Sequence, residues 1–73
     1  MSLAGHHTRN DIVKALREWS TTHSYGPTIR ELAEMVGLSA TTVQYHLHVL
    51  RAQGAVTWED HQARTLHLRE GAI

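Results

Sequence analysis

Between Gly26 and Ala55 the chain reads GPTIRELAEMVGLSATTVQYHLHVLRAQGA, a stretch in which both ends of two successive helices are marked by local chemistry. Thr28 stands three residues ahead of Glu31, the spacing at which a hydroxyl and a carboxylate each bond the other's free backbone amide at a helix start. Pro27, just before it, cannot continue a preceding helix. Ile29, Leu32, Ala33 and Val36 then fall at i, i+3, i+4 and i+7, the spacing of one buried helical face. Gly37 suits the left-handed residue that commonly ends a helix, and Leu38 is expected to plug the turn into the core. Ser39 is a second N-cap, Val43, Leu47 and Leu50 form a second apolar stripe, and Gly54 supplies a second stop. Two capped helices joined by a turn this tight make a helix-turn-helix.

The remainder of the chain frames that unit. Residues 1–7 lack periodicity and are expected to be a disordered lead-in. Thr8 and Asp11 resemble a capping box, and Ile12, Leu16 and Trp19, with Val13 at the edge, predict a first helix reaching about His23, with Trp19 as a core anchor. The stretch from Thr21 to Pro27, rich in Ser, Thr and Gly, reads as a loop. After Gly54 the period changes to two: Val56 and Trp58 alternate with Thr57 and Glu59, then Leu66 and Leu68 with His67 and Arg69. This predicts a β-hairpin with its tip at Asp60 to Ala63, where neither Gly nor Pro fixes a tight turn. Residues 70–73 are expected to fray. The expected fold is mainly α with a small β-hairpin, a three-helix winged helix-turn-helix over residues 8–69.

A chain of 73 residues with 41% apolar content has room for one domain with a small core. It contains no cysteine, which excludes a disulfide framework and a Cys-based zinc site and fits a cytoplasmic location. No apolar run approaches the roughly 20 residues of a membrane span, and the N-terminus lacks the apolar stretch of a signal peptide. Seven Lys plus Arg balance seven Asp plus Glu, which argues against nonspecific attraction to a polyanion. Their distribution matters more than their sum. No acidic residue lies between Glu34 and Glu59, so the second helix of the pair is free of negative charge.

A helix-turn-helix can lay its second helix in the DNA major groove. With Val43, Leu47 and Leu50 inward, a 100° step turns Thr41, Tyr45 and His48 outward, flanked by Thr42 and Gln44. Glutamine can bond adenine N6 and N7 as a bidentate pair, and threonine offers a hydroxyl and a methyl. Because the first turn enters the groove, Ser39, Thr41, Thr42 and Gln44 rank above His48 for base reading, with Tyr45 assigned to the sugar-phosphate edge. Arg51, near the end of the third helix, and Arg64, on the wing, are candidate phosphate contacts, and Thr28 and Arg30 sit beside the free amides of a helix start. The plainer alternatives are that Arg51 and Arg64 pair with Glu59 or Asp60, and Arg30 with Glu34.

Seven histidines raise the question of a metal, but His46 and His48 point to opposite sides of a helix, and no i, i+4 pair occurs on it. No metal or other cofactor and no small-molecule ligand is expected. His46, at the edge of the apolar stripe, reads as a hydrogen-bonded packing residue. No nucleophile with a spaced base, Gly-rich phosphate loop or carboxylate pair is present, so no enzyme is expected. The expected function is sequence-specific double-stranded DNA binding as a repressor-like transcriptional regulator. The alternative is a winged-helix module for protein interaction without specific DNA binding, since a scaffold alone does not determine function.

The residues Pro27, Thr28, Arg30, Glu31, Leu32, Ala33, Gly37, Leu38, Val43, His46, Leu47, Leu50 and Gly54 resemble the pattern of the N-terminal DNA-binding domain of the LexA repressor family. The resemblance covers about Thr8 to Leu68, with one residue fewer between Gly37-Leu38 and Val43 than the family usually has. It implies a bacterial or phage-like regulator, cytoplasmic and nucleoid-associated when bound. The family also carries a C-terminal self-cleaving Ser-Lys domain that supplies dimerisation, and nothing in this chain matches it. A monomer is then expected to bind a half-site weakly, and a homodimer on DNA is the arrangement that would supply affinity.

Overall fold

The computed structural model describes residues 6–69, with side chains from Thr8 onward. The order is α1 (His6–Ser20), α2 (Ile29–Val36), α3 (Ala40–Ala52), β1 (Val56–Thr57) and β2 (His67–Leu68). The two strands pair antiparallel, with Val56 opposite Leu68 and Thr57 opposite His67. Three helices and a two-stranded hairpin are the winged helix-turn-helix that the residue pattern predicts.

The caps form as their spacing requires. Thr28 Oγ1 accepts the Glu31 amide at 3.0 Å, and the Thr28 amide donates to Glu31 Oε1 at 2.9 Å, completing the capping box. Gly37, at φ 73° and ψ 32°, is left-handed, and both its own amide and that of Leu38 donate to the Ala33 carbonyl. Ser39 Oγ accepts the Thr42 amide at 3.1 Å. At the other end of α3, Gly54 takes φ 81°, its amide reaches the Arg51 carbonyl, and the Ala55 amide reaches the Leu50 carbonyl. These two bonds satisfy carbonyls that the helix end would otherwise leave open. Thr28→Ala removes one side of the box and is expected to lower unfolding stability by about 1 kcal/mol, read from the urea midpoint. A midpoint equal to that of the parent would show that α2 does not depend on its cap.

The core collects Ile12, Ala15 and Leu16 from α1, Leu32 and Ala33 from α2, Val43, Leu47 and Leu50 from α3, and Val56 and Leu66 from the hairpin. Ile12, Leu32 and Val43 are fully buried. Burying a side chain of this size contributes about 1.5–3 kcal/mol. Leu38, Val36, Ile29, Val13 and Trp58 close the core's rim as partly buried residues.

Three expectations are corrected. The first helix starts ahead of Thr8, which therefore stands inside α1 and does not cap it, and His6 and His7 belong to the helix. The rest of the expected lead-in, residues 1–5, and the tail, residues 70–73, lie outside the described residues. At its other end α1 stops at Ser20, short of His23, because the hydroxyls of Ser20, Thr21 and Thr22 turn back onto the carbonyls of Arg17, Glu18 and Trp19. Trp19 is not a core anchor. It is half-buried, its Nε1 donates to the Tyr25 carbonyl at 2.7 Å, and its ring stacks on His23 at 3.9 Å, so it pins the loop between α1 and α2.

The hairpin is shorter in its strands and longer in its loop than alternation predicts. His61 and Arg64 both adopt left-handed φ, 67° and 63°, at a cost of order 1 kcal/mol or more each. Thr65 offsets that cost by gathering the loop around its hydroxyl, which accepts the Glu59 amide at 2.8 Å and donates toward the Gln62 carbonyl at 3.1 Å.

Candidate nucleic-acid interface

The exposed side of α3, the start of α2 and the long wing loop line a groove of about 390 Å³, with buried Leu47 and Leu66 beneath it and Pro27 and Thr28 among its walls. From α3 the groove takes Gln44 and His48, and from the wing Trp58, Asp60, Gln62 and Arg64. Residues 41, 44, 48 and 51 share one face of a 3.6-residue helix, so Thr41 and Arg51 extend the same stripe along α3 beyond the groove. Gln44, Thr41 and His48 are exposed, as is Tyr45 at 62% accessibility on the stripe's flank.

Ser39 and Thr42 are committed to the start of α3: besides the cap, Ser39 Oγ donates to Thr42 Oγ1 at 3.0 Å. Thr28 lines the groove while its hydroxyl caps α2. Arg30 is exposed in the first turn of α2, outside the groove, and does not pair with Glu34. The structure therefore brings together Thr28, Gln44, His48 and Arg64, with Thr41, Tyr45 and Arg51 alongside. Ser39 and Arg30 stand apart from the groove lining.

Arg64 does not occupy the role of a freely presented wing cation, nor does it pair with Glu59 or Asp60. Its guanidinium meets the Glu31 carboxylate end-on, Nη1 to Oε1 at 3.0 Å and Nη2 to Oε2 at 3.1 Å, and Nη1 also reaches the Gly26 carbonyl at 3.3 Å. The Tyr25 ring lies beneath it, 5.0 Å away. Bidentate geometry of this kind fixes orientation as well as charge. The Arg64 hydrogen bond, followed by the Thr28 amide, holds the Glu31 carboxyl below its ordinary value, and the same pairing raises Arg64. Glu31 thus caps α2 and ties the wing to it, a link present at neutral pH and released only when acid protonates the carboxyl.

Arg51 does pair with Asp60, but loosely: Nη1 lies 3.5 Å from Oδ1, and the Asp60 side chain is 65% exposed. Its firmer partner is Trp58, whose carbonyl accepts Nη2 at 3.0 Å and whose ring centre lies 4.1 Å from the guanidinium carbon. His48 meets the same ring edge-on at 5.4 Å. Alternation gives Trp58 only a place in a strand. Its contact with Arg51 spans a helix end and a turn, which no periodicity reports.

His46 is the buried polar residue that its place on the apolar stripe suggests. Arg9 Nη1 lies 3.2 Å from its Nδ1. Arginine can only donate, so Nδ1 must accept and the proton of the neutral ring sits on Nε2. Burial, and after it the Arg9 charge, pushes His46 below the ordinary imidazole range. The unfolded chain takes up a proton as pH falls through about 6.5, while the folded ring resists it. Stability is therefore complete above that pH and declines below it until the folded ring also protonates. The thermal midpoint is expected to fall between pH 7.5 and pH 5.5, and His46→Gln should flatten that fall. An equal fall in the variant would assign the effect to another group.

Among the described residues no three His, Cys, Asp or Glu side chains assemble into a metal site, and no helix is long and apolar enough to cross a membrane.

The model of the LexA DNA binding domain matches residues 7–65. The chain belongs to the LexA DNA-binding domain family. It is also 33% identical over 63 residues to the LexA repressor of Carboxydothermus hydrogenoformans, a match that takes in 85% of this chain and 31% of that repressor. As a LexA-type domain the chain thus spans less than a third of the length of that relative.

Proposed function

We propose that this LexA-type domain reads double-stranded DNA sequence-specifically as the DNA-binding part of a repressor, with α3 in the major groove and the wing along the sugar-phosphate backbone. The observation that carries the reading is the acid-free exposed stripe Thr41, Gln44 and His48 beside a wing held at a set distance by the Glu31–Arg64 pair. In it Thr41, Gln44 and Thr42 face base edges, and Tyr45, His48, Arg30 and Arg51 serve the backbone. Arg64 and Ser39 support the interface through the wing and the α3 cap. Two copies on adjacent half-sites supply the affinity that one small module lacks, and the protein acts in the cytoplasm.

A labelled random duplex titrated across a salt series tests this. Binding is expected at low salt, with affinity falling linearly on logarithmic axes as phosphate counterions compete. No binding even at the lowest salt would overturn the reading and favour a protein-interaction module.

A further inference from the structure

Two arginines stand on this face, Arg64 in the groove lining and Arg51 beyond it at the end of α3, and they are held in very different ways. Arg64 is locked by two bonds of 3.0 and 3.1 Å to Glu31 and by the Gly26 carbonyl. Arg51 has one long contact, 3.5 Å, to an exposed aspartate, while its guanidinium is otherwise held by the ring face and carbonyl of Trp58. An exposed, poorly aligned ion pair contributes little, whereas a guanidinium over an indole with a hydrogen bond to the same residue keeps its orientation. A phosphate oxygen can therefore replace Asp60 without disturbing the contact with Trp58. Asp60 itself lines the groove, where its charge opposes an incoming polyanion.

We infer that Trp58 is a positioning residue that holds Arg51 ready for a DNA phosphate, and that Asp60 is the counter-ion which the phosphate displaces. This rests on the DNA-binding reading above. Trp58 joins Arg51 to His48 through one ring, so the helix end and the wing meet the backbone as a unit. Asp60, in turn, weakens attachment to every sequence alike and leaves discrimination to α3.

The test is the salt series on the random duplex with four variants of the whole domain. Asp60→Asn, on an exposed residue, is expected to tighten binding about threefold. Arg51→Ala should weaken it about fivefold and lower the salt slope by about 1. Trp58→Leu keeps apolar bulk and the backbone carbonyl but removes the ring face, and should give part of the Arg51→Ala loss, with the double variant no weaker than Arg51→Ala alone. Trp58→Phe, which keeps a ring, should restore affinity to within twofold of the parent. Parent binding with an unchanged or weakened Asp60→Asn, or an additive double variant, would overturn the inference while leaving the DNA reading intact. Failure of the parent to bind at low salt overturns the DNA reading itself. If Trp58→Leu lacks the parent's circular dichroism, Asp60→Asn and Arg51→Ala decide alone.

Discussion

Gly26→Ala should cost this domain about 3 kcal/mol of stability, at the upper end of the usual cost of overpacking. The cause is not a turn conformation. A Cβ built on Gly26 lands on the Leu66 carbonyl oxygen, with the Leu66 carbon and nitrogen 3.0 Å away, and all three are backbone atoms that cannot swing aside like a side-chain end. The Gly26 amide also donates to the Arg64 carbonyl at 2.9 Å, so this is where the loop before α2 lies flat against the returning wing. Making room means pushing the wing outward, which strips the Gly26–Arg64 bonds and loosens buried Leu66. For a chain of this size the loss corresponds to a fall in the thermal midpoint on the order of 10–20 °C. Gly37→Ala is the control: it sits at φ 73° with nothing within 4 Å of the added carbon, and should cost only the left-handed penalty of about 1–2 kcal/mol. Equal melting of the two variants would mean that the wing yields freely at Gly26.

The second large effect is on recognition. Gln44 is exposed at the centre of the α3 stripe and lines the groove, and its side chain has no hydrogen-bond partner among the described residues. Gln44→Ala should leave the melting curve within the range of neutral surface changes, about 0.5 kcal/mol. It should relax discrimination at one base-pair position by about 1–3 kcal/mol, the worth of a bidentate base contact. Selection from a random duplex pool, with parent and variant compared position by position, measures this directly, and the spacing of half-sites reports dimerisation in the same experiment. A uniform weakening across all sequences would move Gln44 to the sugar-phosphate backbone.

Where the residue pattern succeeded and where it stopped follow from the range of the forces involved. Thr28 with Glu31, and Ser39 with Thr42, are three residues apart and form their caps within a single turn. Val43, Leu47 and Leu50 reach the core because a 3.6-residue period carries them there. His46 could be read as packed and hydrogen-bonded from its place on that stripe, though its partner Arg9, 37 residues away, could not. The end of α1 departs from the apolar spacing for a local reason as well: that spacing carries the helix through to His23, while the hydroxyls of Ser20, Thr21 and Thr22, closing on the carbonyls three residues back, stop it at Ser20.

The amino-acid sequence by itself determined the capped helix-turn-helix from Gly26 to Ala55, its apolar faces and the absence of acid from its exposed third helix. These are properties of neighbours within a turn or two, and their energies are settled locally. Only the tertiary structure decided what the charged and aromatic residues around it do. Glu31 was legible as a cap, but its bond to Arg64, 33 residues on, makes it the tie between α2 and the wing. Arg64, a candidate phosphate contact on the wing, has its guanidinium held in that tie. Trp58, read as one member of an alternating strand, becomes the surface on which Arg51 rests. Each of these pairings depends on two distant segments being brought to within hydrogen-bond or ring-contact distance, and that is set by how the core packs.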